Sequence, residues 1–325
     1  MNKTKVGILG TGAFGLAIAK TCYKNNCDLT LWTKFEEEQQ EISNNHEYKK
    51  VLPGVKIEKE IKITTDLSET INNSEVIILA IPIAFLSDVL KEVNKFNIKK
   101  KHFLITTKGI EQNTNLLVHE LFQKHINCDN LAILSGPNFA IDLVKNNPIG
   151  MTLYASNTQT FNKCKTCLIN KNITIERSDD VIGITLCGSI KNIIAIASGI
   201  INGLGFNESS NALFMTKAIN DMQKLIVTLG GNKETMYTLA GIGDLLLTCG
   251  SEKSRNYQFG YLLATNKTSA KEYLKTHTVE GYYTLKSIVS ILEKNKKENT
   301  LIKIIKNIIL KDVNPKTIIN YLKMN

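Results

Sequence analysis

At 325 residues and 36.2 kDa, with 43% hydrophobic and 22% charged residues, the chain can support two domains with buried cores. Its composition fits no disordered, collagen-like or coiled-coil protein. A formal net charge of +10 and a pI near 9.1 leave three kinds of acidic partner open: nucleic acid, a membrane surface or a phosphorylated small molecule.

The first β-rich run, Val6–Leu9, follows a short polar start with no apolar signal region, so secretion is not expected. It leads directly into Gly10-Thr11-Gly12-Ala13-Phe14-Gly15 and a helix-like Leu16–Tyr23. A GxGxxG in this strand–turn–helix setting predicts a dinucleotide site. Gly10 permits the tight turn, Gly12 lets backbone approach a pyrophosphate, and Gly15 allows close helix–strand contact. The helix N-terminus adds N–H donors for the anion. A glycine-rich turn without ligand is the competing reading, and the context tells against it.

The second strand, Leu29–Trp32, would end in an acidic residue if it gripped a ribose 2′-OH. It ends instead in Thr33-Lys34, and Glu36–Glu38 read as the start of the next helix. Lys34 can neutralise a 2′-phosphate, so NADP is expected to be accepted at least as well as NAD. Further strands are expected at Lys62–Thr64, Val76–Ala80, Phe103–Thr107, Leu131–Leu134, Met151–Tyr154 and Thr174–Glu176. Their alternation with helical stretches predicts an α/β fold with a parallel, doubly wound sheet of Rossmann type. The densest apolar run, Val76–Leu86, falls short of the ~20 residues of a membrane span, and Pro82 interrupts it. No membrane insertion is expected.

Cys164-Lys165-Thr166-Cys167 is a CxxC with no second pair or histidines beside it in sequence, and the five histidines show no metal spacing. No metal site is predicted. Seven scattered cysteines read as reduced thiols in a cytoplasmic protein. Past about residue 180 the pattern turns helical, at Ile190–Ile201, Ala212–Leu229, Tyr283–Glu293 and Leu301–Leu310. This divides the chain into a dinucleotide-binding domain, 1–184, and an all-helical substrate and catalytic domain, 185–325. The lysines form no basic block with interleaved aromatics, so nucleic acid is not expected as a partner.

Four further segments stand out: Thr106–Gly109, Ser135–Ala140, Leu186–Asn192, and Gly241–Asp244 with Ser254-Arg255-Asn256. The first two end strands, where ligands bind in such sheets. Lys191 lies among Ile190, Ile193, Ile194 and Ile196. It is either a snorkelling lysine or a buried one whose pKa desolvation lowers toward neutrality. Periodicity leaves both open. Ser254, Arg255 and Asn256 are adjacent donors suited to a phosphate dianion, or simply a polar loop.

In this order the segments resemble the bacterial-type NAD(P)-dependent glycerol-3-phosphate dehydrogenase family. The resemblance covers nearly the whole chain and includes Gly10–Gly15, Lys108-Gly109, Gly136-Pro137, Phe139-Ala140, Lys191-Asn192, Ala240–Asp244, Leu247–Cys249, Ser254–Asn256 and Val279–Tyr282. It implies reversible reduction of dihydroxyacetone phosphate to sn-glycerol 3-phosphate with NADP or NAD, feeding phospholipid synthesis, and a homodimer. The resemblance puts the proton-exchanging lysine at Lys191. Implied substrate contacts are Lys108, Gly136, Asn138, Lys191, Asp244, Ser254, Arg255 and Asn256. Implied cofactor contacts, beyond Gly10, Gly12 and Gly15, are Ala13, Phe14, Lys34, Lys108, Ala140, Arg255, Thr278 and Glu280.

Some positions depart from the family pattern. Asn138 stands where Ser or Thr is usual, Asp142 where Glu is, Lys217 and Lys34 where Arg is, and Thr278 where an aliphatic residue is. None removes Lys191 or the Ser-Arg-Asn segment, so an active enzyme is expected. The competing functions are another two-domain hydroxyacid or keto-acid dehydrogenase, which the phosphate-suited donors disfavour, and a non-catalytic cofactor-sensing protein, which retention of Lys191 and Asp244 disfavours.

Overall fold

The computed structural model describes residues 3–145 and 147–324. The chain divides into two compact units, one of residues 1–107 with 119–181 and the other of residues 108–118 with 182–325.

The first unit is built on eight strands: β1 (Lys5–Leu9), β2 (Asp28–Trp32), β3 (Lys62–Thr64), β4 (Val76–Leu79), β5 (His102–Ile105), β6 (Leu131–Ser135), β7 (Ile149–Ala155) and β8 (Ile173–Ser178). They form one sheet in the order β3-β2-β1-β4-β5-β6-β7-β8. Every sequence-predicted strand is present, β3 with the expected bounds and the others with ends moved by one or two residues. β4, β5 and β6 are buried along their whole length, as strands covered on both faces must be. The order reverses at β1, between β2 and β4, so their carboxyl ends frame the crevice where such sheets bind ligands.

One junction departs from the parallel expectation. β7 runs antiparallel to β6, while β8 is parallel to β7. The β6–β7 connection carries only the five-residue helix Ala140–Val144. The chain therefore turns back beside β6 instead of crossing over the sheet, which in parallel units is the work of a longer helix.

Cys164 and Cys167, on the helix Thr158–Leu168, are fully buried and acquire neighbours that the linear sequence hid. Cys22, near the end of the helix Ala13–Lys24, and Cys27, just before β2, lie beside them, and the Cys167 thiol donates to the Lys163 carbonyl at 3.3 Å. Burial pushes the Cys164 thiol up to about 12. Among the described residues no cysteine is in a disulfide, and no group of His, Cys, Asp or Glu is arranged to hold a metal ion.

The second unit is helical and centres on Val181–Gly203, whose residues from Gly183 to Ile201 are all buried. This helix starts well before the expected Ile190. Its first turns hold Gly183, Thr185, Gly188 and Ser189, weak helix formers that burial against neighbouring helices nonetheless holds in place. It is long and apolar enough to cross a membrane, but its apolar window is entirely buried within the protein, as in a core helix. Around it pack Glu208–Thr228, Arg255–Thr265, Glu280–Lys294 and Thr300–Leu310. Arg255–Thr265 can lie against it because glycines meet at the crossing. A Cβ on Gly260 would stand 1.9 Å from the Ile196 carbonyl oxygen, and one on Gly199 would stand 2.0 Å from that of Tyr257.

The segment Lys108–Val118, which the linear division places in the dinucleotide domain, packs with the helical unit. Ile110 and Leu117 bridge each other and are buried in the helical core, and the Gly109 N–H donates to Ser189 Oγ at 3.2 Å. Lys108 thus belongs to the same body as Lys191.

Candidate active site

In the first unit, the turn after β1 meets the demands of a dinucleotide motif. Gly10 has φ +115°, and a Cβ there would fall 2.5 Å from the Ala80 carbonyl oxygen at the tip of β4. A Cβ on Gly15 would fall 2.1 Å from the Gly10 carbonyl oxygen, whereas one on Gly12 would meet nothing within 4 Å. The tight turn and the helix approach therefore exclude side chains, and Gly12 leaves open space where a pyrophosphate must come close. The helix Ala13–Lys24 starts there with no side-chain cap, and Ala13 and Phe14 are half-buried. The residues present fit a dinucleotide.

Lys34 follows β2, exposed, with no ion pair among the described residues. Glu36–Asn45 is the helix expected after it, but Glu38 reaches back: its Oε2 accepts hydrogen bonds from Thr11 Oγ1, and from Thr33 Oγ1 at 2.6 Å. Sequence reasoning passed over Glu38 because only its place in a helix was legible. At the end of β6, Gly136 has φ +146° and leads to Asn138 and Ala140. Ser135 Oγ and Asn138 Oδ1 are buried there with no hydrogen-bond partner in the protein. Such orphaned polar atoms are expected where a ligand supplies the partner.

In the second unit, a single turn of π-helix, Leu239–Gly243, opens directly into the helix Asp244–Cys249. Asp244 is 1% exposed. Its Oδ1 accepts from Lys191 Nζ at 2.5 Å, and its Oδ2 accepts from Lys108 Nζ at 2.7 Å. Lys191 also donates to Thr248 Oγ1 at 2.9 Å, and Thr248 in turn donates to the Asp244 carbonyl one turn back at 2.6 Å. Lys191 is therefore a buried, oriented ammonium and not a snorkelling one.

Desolvation lowers the Lys191 pKa to about 8, and the nearby Lys108 charge pushes the same way, while Asp244 resists. Burial opposes ionisation of Asp244, but Lys108 and Lys191 together hold its carboxyl below the usual range. Two ammoniums on one carboxylate leave the cluster with an excess positive charge.

Next to Lys191 in sequence, Asn192 donates from Nδ2 to Glu280 Oε2 at 2.9 Å and accepts from Asn256 Nδ2 at 3.0 Å. Asn256 Oδ1 accepts from the Gly281 N–H at 2.8 Å. Ser254, buried, caps the helix Arg255–Thr265 by accepting from the Tyr257 N–H, while Arg255 is exposed. The three adjacent donors thus divide into a cap, an exposed guanidinium and a buried brace. Thr278 is exposed just before the helix Glu280–Lys294. Asn192 and Thr248 were not picked out as site residues. The local signals for the latter were its i, i+4 spacing from Asp244 and its place in the Leu247–Cys249 segment.

Residues 5–161 match the sequence profile of the NAD-dependent glycerol-3-phosphate dehydrogenase N-terminus, and residues 180–320 match that of its C-terminus. The chain belongs to the NAD-dependent glycerol-3-phosphate dehydrogenase family. The family likeness extends to individual relatives. A glycerol-3-phosphate dehydrogenase [NAD(P)+] of Thermoanaerobacter sp. is 35% identical over 96% of this chain and 94% of its own. One from Staphylococcus epidermidis is 32% identical over 95% and 94%. The crystal structure of glycerol-3-phosphate dehydrogenase from Coxiella burnetii superposes with a TM-score of 0.92, covering 99% of both chains at 28% identity.

As a glycerol-3-phosphate dehydrogenase family member, the chain has its departures accounted for in part. Lys217 donates to the Met324 carbonyl and lies over the Tyr321 ring at 5.5 Å, so it ties down the C-terminal segment. Asp142 sits in the first turn of Ala140–Val144, and nothing in the structure explains its replacement of Glu.

Proposed function

We propose that the chain reversibly reduces dihydroxyacetone phosphate to sn-glycerol 3-phosphate with NAD(P)H, as a cytoplasmic homodimer that supplies glycerophospholipid synthesis. The observation that carries this reading is Lys191, buried, hydrogen-bonded to Asp244 and Thr248, with a pKa lowered to about 8. The cofactor's contribution, once held by Gly10, Gly12, Ala13, Phe14 and Gly15, is a hydride for the ketone carbon.

Lys191 then acts as general acid, handing its proton to the oxygen on which negative charge develops, and as general base in the reverse direction. Asp244 holds the ammonium in place. Lys108, on the other carboxylate oxygen, adds the positive charge that polarises the carbonyl. For the substrate phosphate the best-suited groups are the exposed fork of Arg255, the Ser254 hydroxyl and the remaining N–H of Asn256, with Gly136 and Asn138 completing the substrate contacts. Lys34, Ala140, Thr278 and Glu280 are assigned with Lys108 and Arg255 to the cofactor. A hydroxyacid dehydrogenase of the same architecture is less well supported, because it has no use for these phosphate-suited donors. A cofactor sensor has no need of the Lys191–Asp244 pair.

The test is oxidation of reduced nicotinamide, followed by absorbance, on addition of dihydroxyacetone phosphate. Wild-type protein is expected to turn over. Lys191→Ala is expected to lose on the order of 10³-fold in kcat while still binding cofactor. Near-normal kcat in that variant would show that another group supplies the proton.

A further inference from the structure

We propose that Glu38 receives the adenosine ribose and sets the cofactor preference to NAD over NADP, a proposal that rests on the dehydrogenase reading above. In folds of this kind an acidic side chain at the end of the second strand takes the ribose 2′-OH of NAD. Here β2 ends in Thr33 and Lys34, which by sequence alone favoured a 2′-phosphate. The structure supplies the missing carboxylate from the first turn of the next helix.

Glu38 lies across the tips of two neighbouring strands. Thr11, which donates to its Oε2, sits between the first two glycines of the dinucleotide turn. Thr33, which donates to the same oxygen at 2.6 Å, is the first residue past β2. Leu9 and Trp32, just before them, are in register, and the Gly10 N–H donates to the Trp32 carbonyl at 2.9 Å. A pyrophosphate on the N-terminus of Ala13–Lys24 places the adjoining ribose beside that same junction.

A strut tying the two tips is the alternative role, but it would need no charge. Glu38 is held only by hydroxyls, those of Thr11 and Thr33 and the Tyr48 phenol at 3.2 Å on Oε1. No Lys or Arg pairs with it among the described residues, and it is half-buried. A carboxylate offers about four acceptor positions, so these three donors leave one for a ribose hydroxyl.

The surroundings reinforce the negative charge. The Tyr48 phenol is pushed up to about 12, by burial first and then by the carboxylates of Glu38, Glu41 and Glu37. A 2′-phosphate would bring roughly two further negative charges into this field. The exposed Lys34 ammonium opposes that repulsion only weakly, because solvent screens it.

The experiment is calorimetric titration of the full chain with NADH and with NADPH, for wild type and Glu38→Gln. Gln keeps an acceptor for Thr11 and Thr33 and removes only the charge. Wild type is expected to bind NADH at least ~10-fold more tightly than NADPH, and Glu38→Gln to narrow that ratio by about 10-fold. Wild type binding NADPH as tightly as NADH would overturn the proposal while leaving the dehydrogenase reading intact. So would an unchanged ratio in a folded Glu38→Gln. If neither cofactor binds wild type, the dehydrogenase reading falls and this proposal with it.

Discussion

Asp244 keeps its charge in a buried site because two ammoniums reach it, and in return it holds the Lys191 pKa up against the lowering that desolvation causes. A lysine whose pKa is lowered to about 8 is mostly protonated at pH 7 and mostly neutral at pH 9. Ketone reduction needs the protonated form, so its rate is expected to fall as pH rises through about 8. The reverse oxidation needs the neutral form and is expected to rise through the same range. Initial-rate profiles in both directions check this, and parallel profiles would point to a different titrating group. From sequence, the hydrophobic company of Lys191 was legible, but not whether its ammonium reached solvent. The answer lay in Asp244 and Thr248, which are remote in the chain and met only through folding.

Among the elements, the crossing of Arg255–Thr265 over Val181–Gly203 is what brings Asn256 to Asn192, on the helix that carries Lys191. It depends on Gly199 and Gly260 lacking side chains. Gly260→Ala puts a methyl where only 1.9 Å separates its Cβ from the Ile196 carbonyl oxygen, so the helices must part. We expect a loss of about 1–3 kcal/mol in chemical denaturation, with reduced turnover from the disturbed Asn192–Asn256 brace. The strands were legible because continuous apolar runs and the glycine turn are local signals. The long helix was recognised only from Ile190 on, since its glycines and hydroxyl residues argue locally against helix and tertiary burial overrides them. The antiparallel β7 was not legible either, because strand direction follows from what the connection can span.

For the whole molecule, the +10 charge divides into a small part gathered on one buried carboxylate and a large solvated one. Lys108 and Lys191 converge on Asp244, whereas pairs such as Lys91–Asp88, Lys95–Glu92 and Lys275–Glu272 lie along exposed helix faces. Interspersed charge of this kind makes no continuous track for a polyanion. A labelled oligonucleotide at 0.15 M salt is therefore expected to show no anisotropy change up to ~10 μM protein, weaker than the tighter end of ordinary non-specific binding. Saturable binding in that range would restore nucleic acid as a partner.

By itself the sequence determined the run of strands and helices, the dinucleotide turn and the family, because periodicity, turn chemistry and motif order are written in neighbouring residues. The tertiary structure alone decided which side chains share a site. Glu38 meets Thr11 across 27 positions, Lys191 meets Asp244 across 53, and Lys108 meets Asp244 across 136. Charge state, proton affinity and cofactor choice depend on those encounters, since each is set by burial and by the nearest opposite or like charge.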